Sequence, residues 1–171
     1  MTIKQEQLLS SFLGTLDPVV EQPLYQELAA CLVELGYSPH KLGKAALSFK
    51  CKQHNKQLAK LGIKTSKKAG SWAFFALRFS GCKDYSQRFT DIVAANIVHF
   101  PHKIARCMTP DGCCYCGGLA DTHVYTFDGK HHCGAYVLEI PNITPNDITE
   151  IKQLIQEEHY YLLLHEAGVT P

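Results

Sequence analysis

Three alternating runs between residues 45 and 79 constrain this chain more than any other feature. In the first, Leu47, Phe49 and Cys51 point one way and Ser48, Lys50 and Lys52 the other. After a turn at His54-Asn55, Leu58, Lys60, Gly62 and Lys64 alternate with Ala59, Leu61 and Ile63. Gly70 then precedes a third run, Trp72 to Phe79. Period-two patterning broken by short polar turns predicts an antiparallel meander.

Helical patterns flank the meander. Residues 3 to 13 are amphipathic, through Ile3, Leu8, Leu9 and Phe12. Asp17-Pro18 is a good helix start, and Val20, Leu24, Leu28, Cys31, Leu32 and Leu35 recur at helical spacing up to Gly36. Pro23 lies too deep for a helix begun at Pro18, so it marks a kink or the true start. Downstream, Asp84 with Gln87 has capping-box spacing ahead of Phe89, Ile92, Val93, Asn96 and Ile97, a helix running to about His99. Residues 123–127 and 130–140 form a hairpin around Asp128-Gly129, a strong type I′ signal. Thr144-Pro145 opens a last helix with Ile148, Ile151, Leu154, Ile155, His159 and Leu162 on one face and Gly168 at its end. Strands grouped together and helices grouped around them predict one α+β domain over residues 1–171, its sheet mainly antiparallel. The length of 171 residues suits one domain, and 46% apolar with 19% charged residues is a globular balance. No apolar run reaches the ~18 residues of a membrane span, and Glu6 interrupts any signal-peptide pattern. The expected compartment is therefore the reducing cytoplasm, where eight cysteines read as metal ligands or buried thiols before disulfides.

Residues 107 to 121 are a Cys- and Gly-rich loop containing Cys113-Cys114-Tyr115-Cys116-Gly117-Gly118. Cys-x2-Cys lets two thiolates reach one ion from a tight turn, and the following Gly frees backbone N–H groups to face sulfur. Cys133, also followed by Gly, is the best third ligand; Cys107, His131 and His123 compete for the fourth place. A two-residue turn pairs Val124 with Cys133, Thr126 with His131 and His123 with Gly134. That puts His131 on the same sheet face as Cys133 and His123 on the other. The favoured set is Cys107, Cys113, Cys116 and Cys133 around Zn2+, with His131 and then His123 as substitutes. Reduced thiols in a loop, or a redox pair, are the competing readings; the motif does not sit between a strand and a helix as a redox pair would. Cys31 and Cys51 fall on apolar faces, while Cys82 beside Lys83 has the one neighbour that favours a thiolate.

The stretch Cys116 to Pro141, with Tyr125-Thr126, Asp128-Gly129, Cys133-Gly134, Tyr136 and Glu139-Ile140-Pro141, resembles a group of small bacterial proteins of unknown function. They share a Cys-rich loop, a Tyr-rich hairpin and a C-terminal helix. Leu47-Ser48-Phe49-Lys50 and Ala76-Leu77-Arg78-Phe79 fit them too. The resemblance implies cysteine ligands at 113, 116 and 133, supports His131 less, and implies no activity.

Charge is unevenly spread. Residues 1 to 34 hold one Lys and five acids; residues 35 to 83 hold ten Lys and Arg78 with no Asp or Glu. On the predicted sheet, Lys50, Lys52, Lys60 and Lys64 gather on one face near Trp72 and Phe74, with Arg78 further along. Lysines beside aromatics suit single-stranded nucleic acid or an anionic small molecule. The plainer reading is a solvated sheet face, with the acidic last helix against the lysines and the aromatics in the core. No His-Glu-x2-His, Gly-x-Ser-x-Gly, P-loop or deaminase signature occurs, and no catalytic residue is assigned. The expectation is a non-catalytic zinc-stabilised binding module for an anionic small molecule, nucleic acid or protein. A zinc enzyme with a three-Cys open site and a purely structural interaction protein are the alternatives.

Overall fold

The computed structural model describes residues 1–99, 124–127, 130–133 and 136–166. Within them, in chain order, lie α1 (Ile3–Leu13), α2 (Glu21–Glu34), β1 (Tyr37–Leu42), β2 (Ala46–Cys51), β3 (Gln57–Ser66) and β4 (Gly70–Leu77). There follow α3 (Gln87–His99), β5 (Val124–Phe127), β6 (Lys130–Cys133), β7 (Leu138–Ile140) and α4 (Ile148–Glu166), the last entered through a 3-10 turn at Pro145–Asp147. The fold is α+β: one sheet has the order β1-β2-β3-β4-β7 with every pair antiparallel, and β5-β6 form a second. Among the described residues no helix is long and apolar enough to cross a membrane.

One sheet face is the core. Across its strands run Tyr37, then Phe49 and Leu47, Ala59 and Leu61, Leu77 and Phe75, and last Leu138 and Ile140, all buried. Burying one such side chain contributes roughly 1.5–3 kcal/mol. α2 packs on β1 and on α4, and α4 also reaches β3. Ile148, Ile151, Leu154, Ile155 and Leu162 of α4 are buried as the helical period requires.

The meander has a strand that the sequence pattern missed. β1 begins right after Gly36, whose φ of 86° ends α2 in the left-handed region. Pro39 argues against a strand read in isolation, but β1 is an edge strand, where proline is tolerated. The expected hairpin arm 130–140 is also divided. Lys130–Cys133 pairs with β5, whereas Leu138–Ile140 crosses to β4, where Leu138 and Ile140 gain a core that four-residue β5 could not provide. β5 and β6 keep the expected register, Val124 opposite Cys133 and Thr126 opposite His131.

Local signals resolve at the helix ends. Asp17 does not start α2; its carboxylate accepts from the amides of Val19 and Val20 in a preceding turn, and Pro23 falls in the helix's first turn. Gln87 begins α3 rather than closing a box with Asp84, and its amide donates to Asp91. Asp147 does complete a box with Thr144. It also receives Arg88 in a two-point ion pair, Nε–Oδ1 2.6 Å and Nη2–Oδ2 3.1 Å. Burial raises the Asp147 pKa, but Thr144 and Arg88 outweigh it and hold the group low.

Edge strand β7 is closed by a side chain. Asn96 of α3 donates through Nδ2 to the Glu139 carbonyl (3.1 Å) and accepts the Glu139 amide at Oδ1 (3.2 Å), as a neighbouring strand would. Asn96→Leu removes both partners and is expected to cost about 1–3 kcal/mol in urea denaturation. An unchanged midpoint would show that water replaces the amide without penalty.

Candidate functional site

Of the expected metal ligands, Cys107, Cys113, Cys116 and the substitute His123 lie outside the described residues. Cys133 closes β6 and His131 stands two residues before it; their strand register is as expected. Cys31, Cys51 and Cys82 sit elsewhere. Cys31 and Cys51 are buried in the core, as their apolar faces implied. Cys82 does not have the thiolate environment that Lys83 suggested. Its Sγ lies 3.5 Å from the Leu154 carbonyl, and burial pushes the thiol well up, with Glu158 and Glu157 adding to the shift.

The lysine face is only partly what the alternation promised. Register shifts between Phe49 and Lys50, so Lys50 faces Gln57, Lys60 faces Ser48, and Leu58 is the unopposed residue of a bulge. The bulge takes Leu58 out of the alternation and into full burial. Lys52 falls beyond β2, in the turn. Ser48 and Ala76, which flank Lys60 across the strands, are buried, so this stretch is not an open platform.

Arg78 leaves the ligand-binding set altogether. It is 3% exposed, and its Nε lies 3.0 Å from Glu158 Oε1 on α4. Glu158 is fully buried and also accepts from the Ser80 hydroxyl and the Gly81 amide. Burial pushes the Glu158 carboxyl up to about 7; the guanidinium and the other two donors pull against it. The acidic last helix therefore meets the basic segment chiefly inside the protein, at Arg78.

What stands clear is the far end of β3 and β4. β2 starts opposite Gly62, with the Ile63 amide still donating to the Ala45 carbonyl, and β7 ends opposite Phe75, so among the described residues the pairs Lys64–Trp72, Thr65–Ser71 and Ser66–Gly70 overhang the sheet on both sides. Trp72 is 42% exposed, against the expectation of a core position, whereas Phe75 is buried. Phe74 lies over Gly62, where a Cβ would come within 2.5 Å of its ring; only glycine allows that approach. Lys64 stands 5.5 Å from the Phe74 ring centroid and pairs with Glu139 at 2.6 Å. Lys67 and Lys68 are exposed in the turn beyond. The meander brings the β1–β2 turn to the same end, with Lys41 and Lys44 exposed. Lys44, Lys67 and Lys68 were missed because turn residues carry no face parity, and Lys41 because it belongs to β1, the strand that the pattern missed.

A buried polar chain also escaped the sequence. The Lys56 amide donates to His54 Nδ1 (3.1 Å), so the neutral ring carries its proton on Nε2 and donates to the Tyr37 oxygen (3.3 Å). The Tyr37 hydroxyl then donates to His159 Nδ1 (3.2 Å). Burial lowers the His159 pKa, which agrees with a neutral acceptor ring. One signal was available: His159 interrupts the apolar stripe of α4.

Comparison with protein-family models, with curated proteins and with solved structures gave no match. The chemistry of the site is therefore read from its own residues.

Two outcomes follow. Arg78→Met strands a buried carboxylate and is expected to lose about 3–5 kcal/mol in chemical denaturation; a loss no larger than a surface substitution gives would refute the pairing. His159 favours the neutral form when folded, so unfolding takes up a proton below the ordinary His value of about 6.5. The stability advantage of the wild type over His159→Gln should then shrink as pH falls below about 6.5. An advantage that grows in acid would contradict the assigned hydrogen-bond direction.

Proposed function

We propose that this chain is a non-catalytic, zinc-stabilised binding module that takes an anionic ligand at the overhanging end of its sheet. The observation that carries the binding role is the gathering of Lys41, Lys44, Lys67 and Lys68, all exposed, around a β-ribbon with no carboxylate of its own. Fixed cations on short turns raise the local concentration of an anion and lower its cost of docking.

The metal is supported by the Cys-x2-Cys spacing and by the β5–β6 register, which matches the pairing used to choose among ligands. Cys31, Cys51 and Cys82 have other places, in the core. Cys107, Cys113, Cys116 and Cys133 form a closed all-thiolate site in this reading, with His131 and His123 outside the ion's first coordination sphere. Structural zinc contributes on the order of 10–16 kcal/mol in small peptides, enough to order a loop with little apolar content.

Elemental analysis of purified protein tests the metal. The expected result is about one zinc per chain, as one closed four-ligand site requires. Cys113→Ser or Cys116→Ser should release it, and Cys107→Ser should weaken it more than His131→Ala. Metal-free, folded protein indifferent to chelators would overturn the zinc; three protein ligands plus water would favour the enzyme alternative.

A further inference from the structure

We infer that the β3–β4 arm is a contact for single-stranded nucleic acid, in which Trp72 stacks on a base while the surrounding lysines hold phosphates. This rests on reading the sheet end as an anion-binding surface, and it names the ligand.

The placement of Trp72 is the starting point. It is the only tryptophan in the chain and the largest side chain type available, yet it lies on an arm with no further strand beside it among the described residues and keeps 42% of its surface exposed. Face parity alone does not require this: Phe74, two residues on and on the same face, is half-buried over Gly62. An aromatic ring left beside lysines offers a flat apolar face and nearby positive charge together. A nucleotide is the ligand that presents a flat ring and an anion on one short unit.

The neighbours fit that division of labour. Lys64 stands directly opposite Trp72 on β3. Glu139 already neutralises Lys64, so it serves as a packing partner before it serves as a phosphate ligand. Lys67 and Lys68 continue from the end of the ribbon, and Lys41 and Lys44 extend the positive end across the β1–β2 turn. Thr65 and Ser71, a cross-strand hydroxyl pair 3.0 Å apart, lie on the other face of the arm and tie its two strands together. The strand must be single, because a ring can stack only on a base whose face is free. A membrane surface fits less well: the neighbours of Trp72 on its own face of the arm include Lys64 and Ser66, and interfacial binding needs a larger apolar face.

Intrinsic fluorescence reads the contact directly, since all tryptophan emission comes from Trp72. The probes are oligo-dT and oligo-U of about 12 nucleotides, within the usual range of site sizes. A duplex of the same length, inorganic polyphosphate and anionic phosphatidylserine vesicles are the controls. Quenching by either single strand, with weaker binding to the duplex, is expected. Read by the anisotropy of an end-labelled oligonucleotide, Trp72→Ala should weaken binding between about five- and a hundred-fold, while Trp72→Phe retains most of it. Lys67→Gln with Lys68→Gln should flatten the salt dependence by about 1.4 in log–log slope. A dT-over-U preference or its reverse tells which nucleic acid the arm prefers.

Polyphosphate binding as tight as the single strands, with Trp72→Ala silent, would overturn the inference and keep the anion-binding reading. Vesicle binding without oligonucleotide binding would overturn it in favour of a membrane contact. No binding to any of these anions would overturn both.

Discussion

A buried carboxylate sets the terms for much of this structure. Glu158 has no solvent, so its charge needs Arg78, Ser80 and Gly81 around it. All three follow β4, and Glu158 belongs to α4. Where α4 lies on the sheet is thus fixed by a polar contact as well as by Ile151, Leu154 and Ile155, which would pack against many apolar surfaces. The Tyr37–His54–His159 chain adds a second directional tie, between β1, the β2–β3 turn and the same helix. Apolar burial supplies the driving force; these contacts choose one seating among several.

That arrangement also shapes the surface. Arg78 is consumed inside, Lys64 meets Glu139, and Lys60 is flanked by buried small residues. Four exposed lysines, Lys41, Lys44, Lys67 and Lys68, remain in and beside the two turns at one end of the meander. An antiparallel meander places alternate turns together, so lysines distant in sequence become neighbours without any long-range pairing.

Much of the fold was readable because its signals were local. The period of α1, α3 and α4 comes from residues three and four apart, and the register of β5–β6 follows from a two-residue turn. β1 was hidden by Pro39, whose meaning depends on whether a strand lies at an edge. β7 was assigned to the wrong partner because a three-residue strand carries no record of which sheet will bury it. The site was less legible. Cys31 and Cys51 could be assigned from parity, but Arg78 reads as a surface cation until Glu158 is found across the fold. Trp72 shares its parity with Phe74; only the length of the neighbouring strands decides that it is left outside.

The proposed ligand surface is the overhanging end of the sheet. A heteronuclear NMR titration of the full chain with a single-stranded oligonucleotide tests it most directly. Amide shift changes should cluster in residues 41–45 and 63–73 and leave α2 and α4 unmoved. Changes centred on the helices, with that end of the sheet silent, would contradict it.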